Sequence, residues 1–118
     1  MKNFEKIGAQ GEIVARKIDA LPNGLEPFTK ENGKWIIGHS ESGHHHVLDR
    51  PDVQVMRDPN PPAGMQILYA VLDNPTALIQ ERNNDAHEGL DLGDSGVIEF
   101  RISREWDPYE ELARRVAD

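Results

Sequence analysis

The sequence predicts a mainly β domain, a small antiparallel β-barrel or sandwich carrying one short C-terminal helix. Three observations carry that expectation. Apolar segments of strand length recur along the chain, turn residues separate them, and helical spacing emerges only near the end. The 118 residues suit one domain over 1–118. That length can bury a core without disulfides or a structural metal.

The first strand runs from Gly11 to Ile18 and stops at Asp19-Ala20-Leu21-Pro22-Asn23-Gly24, where proline and Asn-Gly chemistry impose a turn. Asn32-Gly33 makes a second turn before a strand over Lys34-Trp35-Ile36-Ile37-Gly38. Ser40-Glu41-Ser42-Gly43 leads into a histidine strand, His44 to Leu48, which Asp49-Arg50-Pro51 ends. Val53 to Met56 alternates as the next strand. The prolines of Asp58-Pro59-Asn60-Pro61-Pro62-Ala63-Gly64 remove donors and fix φ, so that stretch is a loop. Met65 to Leu72 and Thr76 to Gln80 read as strands separated by Asp73-Asn74-Pro75, and the polar run from Glu81 to Gly89 reads as a loop. Along Val97 to Ser103, Ile98, Phe100 and Ile102 share one face while Glu99, Arg101 and Ser103 share the other.

The chain then changes character. Asp107 at the N-cap, Pro108 at the first helical position and Glu110 at N3 resemble a capping box. Tyr109, Leu112 and Val116 fall on one helical face. Glu110–Arg114 and Glu111–Arg115 add i,i+4 pairs worth ~0.3 kcal/mol each. A helix over about 108–117 follows. Trp35 and Trp106 are expected in the core or under that helix.

Composition excludes several classes of function. A formal net charge of −8 repels phosphate backbones, so no nucleic-acid partner is expected. Cysteine is absent, which removes disulfides, thiolate metal sites and thiol nucleophiles, and suits a cytoplasmic setting. The start, Met1 to Lys6, lacks the apolar region of a signal peptide, and no apolar run is long enough to span a membrane. No Gly-x-Ser-x-Gly elbow exists. The glycines from Gly89 to Gly96 lack the Lys-Ser/Thr of a phosphate loop, and Asp91 and Asp94 lack the ligand ladder of an EF-hand. An organic cofactor is not indicated.

Chemistry concentrates in Gly43-His44-His45-His46-Val47. On a strand, His44 and His46 share a face with Leu48, and His45 faces the other way with Val47. Two imidazoles turned toward a core cost ~1–3 kcal/mol each unless hydrogen-bonded or metal-bound. His87, with Asp85 and Glu88 beside it, can supply a third ligand if the sheet folds back, giving His₃ or two histidines and a carboxylate. The expected site is therefore a divalent metal, zinc, iron, nickel or manganese, on His44, His46 and His87. His39 is a further contributor. Glu41 and Glu88 stand near as candidate acids or bases without settling whether the protein is an enzyme. The plainer reading is a solvated hairpin and an exposed loop histidine. Arg101, Arg104 and Glu105 either bind an anion or lock the helix through salt bridges.

Two resemblances attach to these residues. Gly38 followed after five residues by His44-His45-His46 resembles the first cupin motif, which implies a small double-stranded β-barrel holding a divalent metal and acting on a small molecule. The glutamate expected shortly afterwards is missing, with only Asp49 and Asp52 nearby, and the second motif is not found. Gly11-Glu12-Ile13-Val14, Asp19-Ala20-Leu21-Pro22, Gly43-His44-His45-His46-Val47 and Arg104-Glu105-Trp106-Asp107-Pro108 are together similar to a group of short bacterial and phage-encoded β-rich proteins. That resemblance implies an accessory or mobile-element protein and a later histidine loop, where this chain offers Gln80 and His87. The alternatives are a cupin-like metalloenzyme and a metal-free acidic protein-interaction module. A homodimer through an exposed edge strand is compatible with each.

Overall fold

A computed structural model of the chain describes residues 2–3, 7–10, 12–39, 45–81 and 89–103. In chain order the strands are β1 (Lys2–Asn3), β2 (Ile7–Gln10), β3 (Ile13–Ile18), β4 (Glu26–Pro27), β5 (Ile36–Gly38) and β6 (His46–Leu48). They continue as β7 (Gln54–Arg57), β8 (Met65–Leu72), β9 (Thr76–Gln80), β10 (Leu90–Gly93) and β11 (Gly96–Ser103). The strands form two sheets, one ordered β1-β10-β9-β6-β5 and the other β2-β3-β11-β8-β7-β4. Neighbours are antiparallel except β1 and β10, which pair in parallel at one edge.

Alternation along each strand explains how the sheets meet. From β11, Ile98, Phe100 and Ile102 join Ile13 and Ala15 of β3 and Leu68 and Ala70 of β8 in one core. Ile37, Leu48, Leu78 and Leu92 of the five-stranded sheet enter the same cluster from the other side. Among the described residues the result is a sandwich whose edge strands are β1, β5, β2 and β4, with no closed barrel. The barrel alternative, and with it the barrel that the cupin resemblance implies, is corrected here. Its physical cause lies at Asp73-Asn74-Pro75. β8 belongs to one sheet and β9 to the other, and Pro75 between them has no N–H to extend the ladder. Thr76 Oγ1 donates to the Asn74 carbonyl at 2.8 Å and holds the corner.

β8 and β9 coincide with the segments expected from alternation, and β11 begins one residue earlier than expected. β5 is shorter than expected because Trp35 lies outside the strand. Its indole packs into the core, donates Nε1–H to the Pro51 carbonyl at 3.1 Å and stacks on Phe28 with ring centroids 6.1 Å apart. β1, β2, β4 and β10 are strands the sequence reading did not identify. The C-terminal helix expected over 108–117, and Trp106, lie outside the described residues. Among those described no helix is long and apolar enough to cross a membrane.

One turn matters for the site. Asn32 and Gly33 have φ of 52° and 75°, the positive pair that a type I′ hairpin turn requires. Glu31 and Lys34 exchange backbone hydrogen bonds of 2.9 and 3.0 Å across it. The turn places the Glu31 carboxylate within reach of His39 at the far end of β5.

Candidate functional site

β6 sits between β5 and β9, with His46 opposite Gln80 on one side and Gly38 on the other. Leu48 enters the core, so strand alternation turns His46 toward the same inter-sheet space. His46 is half-buried there. Burial strips water from the imidazolium and lowers its pKa below the ordinary 6.5. The Glu12 carboxylate opposes that shift and the neighbouring His45 adds to it. The ring is thus held neutral at pH 7, with a lone pair on one nitrogen, the form that ligates metals.

Gly38 makes room for this ring. A β-carbon at Gly38 would lie 2.8 Å from Ile13 Cδ1 and 3.5 Å from His46 Cδ2. Ile13 is fully buried, so its δ-methyl has little space to yield. Gly38→Ala is expected to cost about 1–2 kcal/mol through overpacking. The check is a lowered melting temperature together with a displaced His46 Hδ2 resonance. Unchanged values of both would show that the ring does not pack against this position.

The structure also joins two histidines that sequence reasoning kept apart. The rings of His39 and His45 lie edge to face, 5.1 Å between centroids and 71° between planes. His39 Nε2 is 2.7 Å from Glu31 Oε2. His45 belongs to the alternation opposite to His46, as its parity with Val47 requires, and its carbonyl accepts from the Glu81 N–H at 2.8 Å. Glu81 also pairs with Lys34 at 2.6 Å. Glu31, one turn away from β5 in sequence, had no visible signal until the Asn32-Gly33 hairpin was formed.

Of the three expected ligands, His46 faces inward as anticipated, whereas His44 and His87 lie outside the described residues. So do Glu41, Asp85 and Glu88. Among the described residues no three histidine or carboxylate side chains converge in a geometry that holds a metal ion.

A second polar centre lies on the six-stranded sheet, on the face turned away from the core. Register places Arg16 of β3 opposite Glu99 of β11, and Glu99 opposite Tyr69 of β8. Glu99 is only 4% exposed. Its Oε1 accepts from Arg101 Nε at 2.8 Å and lies 3.1 Å from Arg16 Nη2, while the Tyr69 hydroxyl donates to Oε2 at 3.3 Å. Burial alone would raise the carboxyl pKa. The hydrogen bonds from Arg101 and Arg16 outweigh it and hold Glu99 below the usual carboxylate range. Burial, with the Glu99 charge second, pushes the Tyr69 phenol up. Glu99 is therefore engaged by Arg101 from two positions away on its own strand and by Arg16 from across the sheet. The arrangement becomes visible only when β3 is known to pair with β11.

These features define a two-sheet β domain with an inward imidazole at one end and an arginine-clasped carboxylate on an outer face. The chain belongs to the DUF8820 family, described as a domain of unknown function, which matches residues 9–102. The match takes in both polar centres and ends before Arg104. Comparisons with curated proteins and with solved structures return no match.

Proposed function

We propose that this domain is a small accessory protein of bacterial or phage origin, working in the cytoplasm, that binds a divalent metal ion through His44, His46 and His87. The observation that carries this reading is the placement of His46, half-buried, turned into the inter-sheet space and kept neutral by its surroundings. The nearby Glu12 carboxylate favours a cation at the same place. With nitrogen and oxygen donors and no thiolate, zinc, iron, nickel and manganese are the fitting ions. A site with an open position would polarise a bound water as a Lewis acid, the chemistry a cupin-like enzyme needs.

The His39–His45 pair supports a second reading. Glu31 on His39 Nε2 is the carboxylate–imidazole arrangement that orients a metal-ligating histidine through its other nitrogen. Zinc and nickel titrations of untagged, chelator-stripped protein separate the two. One equivalent is expected to bind, and His46→Ala is expected to weaken it at least about tenfold while His39→Ala leaves it intact. The reverse pattern moves the site to the outer pair. Absence of any saturable binding removes the metal and leaves the acidic interaction module. Because the folded His46 pKa lies below 6.5, its contribution to stability is complete above 6.5 and is lost as pH falls through the folded value. Affinity for the ion is expected to decline over that same acidic window, as protons compete for the ring.

A further inference from the structure

The Arg16–Glu99–Arg101 cluster contains more positive charge than its buried carboxylate requires. One carboxylate is neutralised by one guanidinium, and Tyr69 already supplies Oε2 with a further donor. Both arginines are nevertheless held against Glu99, each by a single nitrogen: Arg101 through Nε and Arg16 through Nη2. Among the described residues, Arg101 keeps both terminal nitrogens, and Arg16 keeps Nε and Nη1, beyond the contacts made to Glu99. The two side chains are 46% and 47% exposed, so the guanidinium pair lies at the protein surface. The floor beneath them is closed, with Ile67 and Tyr69 each 5% exposed and Glu99 4%. Val14, opposite Arg101 in the β3–β11 register, is 43% exposed and forms an apolar rim. A rigid pair of guanidinium groups above a low-dielectric floor is a built receptor for a planar or tetrahedral oxyanion. Glu99 fixes both side chains beforehand, which lowers the ordering cost of binding. Besides Glu99, the charges sensed at Tyr69 are Asp58, which raises its pKa, and Arg101, which lowers it.

We propose that Arg16 and Arg101 form an oxyanion-binding site on the outer face of the six-stranded sheet, with Glu99 and Tyr69 positioning them. The ligand is a carboxylate or phosphate group, carried by a small molecule or by an acidic side chain of a protein. Nucleic acid is disfavoured as its source because the rest of a chain of net charge −8 repels a polyanion. This site is independent of the metal proposal and lies on the other sheet.

The test is a titration of the full chain at low ionic strength with inorganic phosphate and, separately, with N-acetylglutamate, read by NMR. Saturable shifts of the Arg16 and Arg101 side-chain Nε–H groups and of β3 and β11 amides are expected with at least one probe. Arg16→Lys with Arg101→Lys keeps the charge and the pairing to Glu99 but removes the fork. That variant is expected to remain folded and to bind about tenfold more weakly. Arg16→Gln with Arg101→Gln is expected to abolish saturation. Preference for phosphate or for the carboxylate identifies the oxyanion, and phosphate preference excludes an acidic side chain as its source. Shifts that rise linearly with concentration, that sodium chloride reproduces, or that saturate in the lysine variant with undiminished affinity overturn the proposal.

Discussion

Phe100→Ala is expected to lower the unfolding free energy by about 3–5 kcal/mol. Phe100 has no solvent exposure and lies midway along β11, the strand paired to both β3 and β8. Its cross-strand partners are Ala15 and Leu68, themselves fully buried. Small Ala15 beside it cannot expand into the space a lost ring leaves, so the cavity persists and its cost adds to the lost transfer energy. A domain of this size holds a total of roughly 5–15 kcal/mol, so the substitution removes a large share of it. Urea unfolding is the measurement: the midpoint is expected to fall sharply with the slope unchanged. A loss below about 1 kcal/mol would be incompatible with a ring enclosed between two sheets.

Glu99→Ala is expected to cost about 1–3 kcal/mol at neutral pH. It leaves Tyr69 without its acceptor and brings Arg16 and Arg101 together with no anion between them. The half-exposed guanidinium heads recover part of their hydration, which keeps the loss below that of a fully buried pair. Glu99→Gln, which retains an acceptor, is expected to lose less. The pH dependence follows from the depressed carboxyl. Folding favours ionised Glu99, so its contribution is fully present above the ordinary value of 4.5 and is lost as pH falls through the folded value. Melting curves of wild type and Glu99→Gln are therefore expected to differ at pH 7 and to converge under strong acid. A gap that stays constant down to pH 2 would show that the charge of Glu99 contributes nothing to folding.

What could be read in advance depended on whether a residue's partner is local. Alternation in Met65–Leu72 and Gly96–Ser103 declares the inner and outer faces by itself, so Phe100 in the core and Glu99 outside it were legible. The Asn32-Gly33 turn was legible for the same reason, since its backbone requirement lies in adjacent residues. The inward direction of His46 followed from its parity with Leu48. By contrast, β1 and β4 have two residues each, too few to establish any period, and their pairing is set by distant strands. The choice between barrel and sandwich turned on which sheet β9 joins after Pro75, a matter of tertiary pairing. Arg16 and Glu99 are 83 positions apart, so no local pattern links them, and Arg101 was grouped instead with its sequence neighbours Arg104 and Glu105.

The same separation governs how the molecule is born. β3 and β11 are hydrogen-bonded along six consecutive residue pairs although most of the chain lies between them. Closing so large a loop must precede any energetic return from the contact, which places the domain among slow folders, on the order of milliseconds to seconds. On the ribosome, β3 emerges before β11 and waits, the edge that β11 will cover left open, until that strand has been made. During that interval the alternating Ile13–Ile18 segment is a vulnerable sticky edge. Its charged Arg16 and Lys17 act as gatekeepers against premature association with other nascent chains.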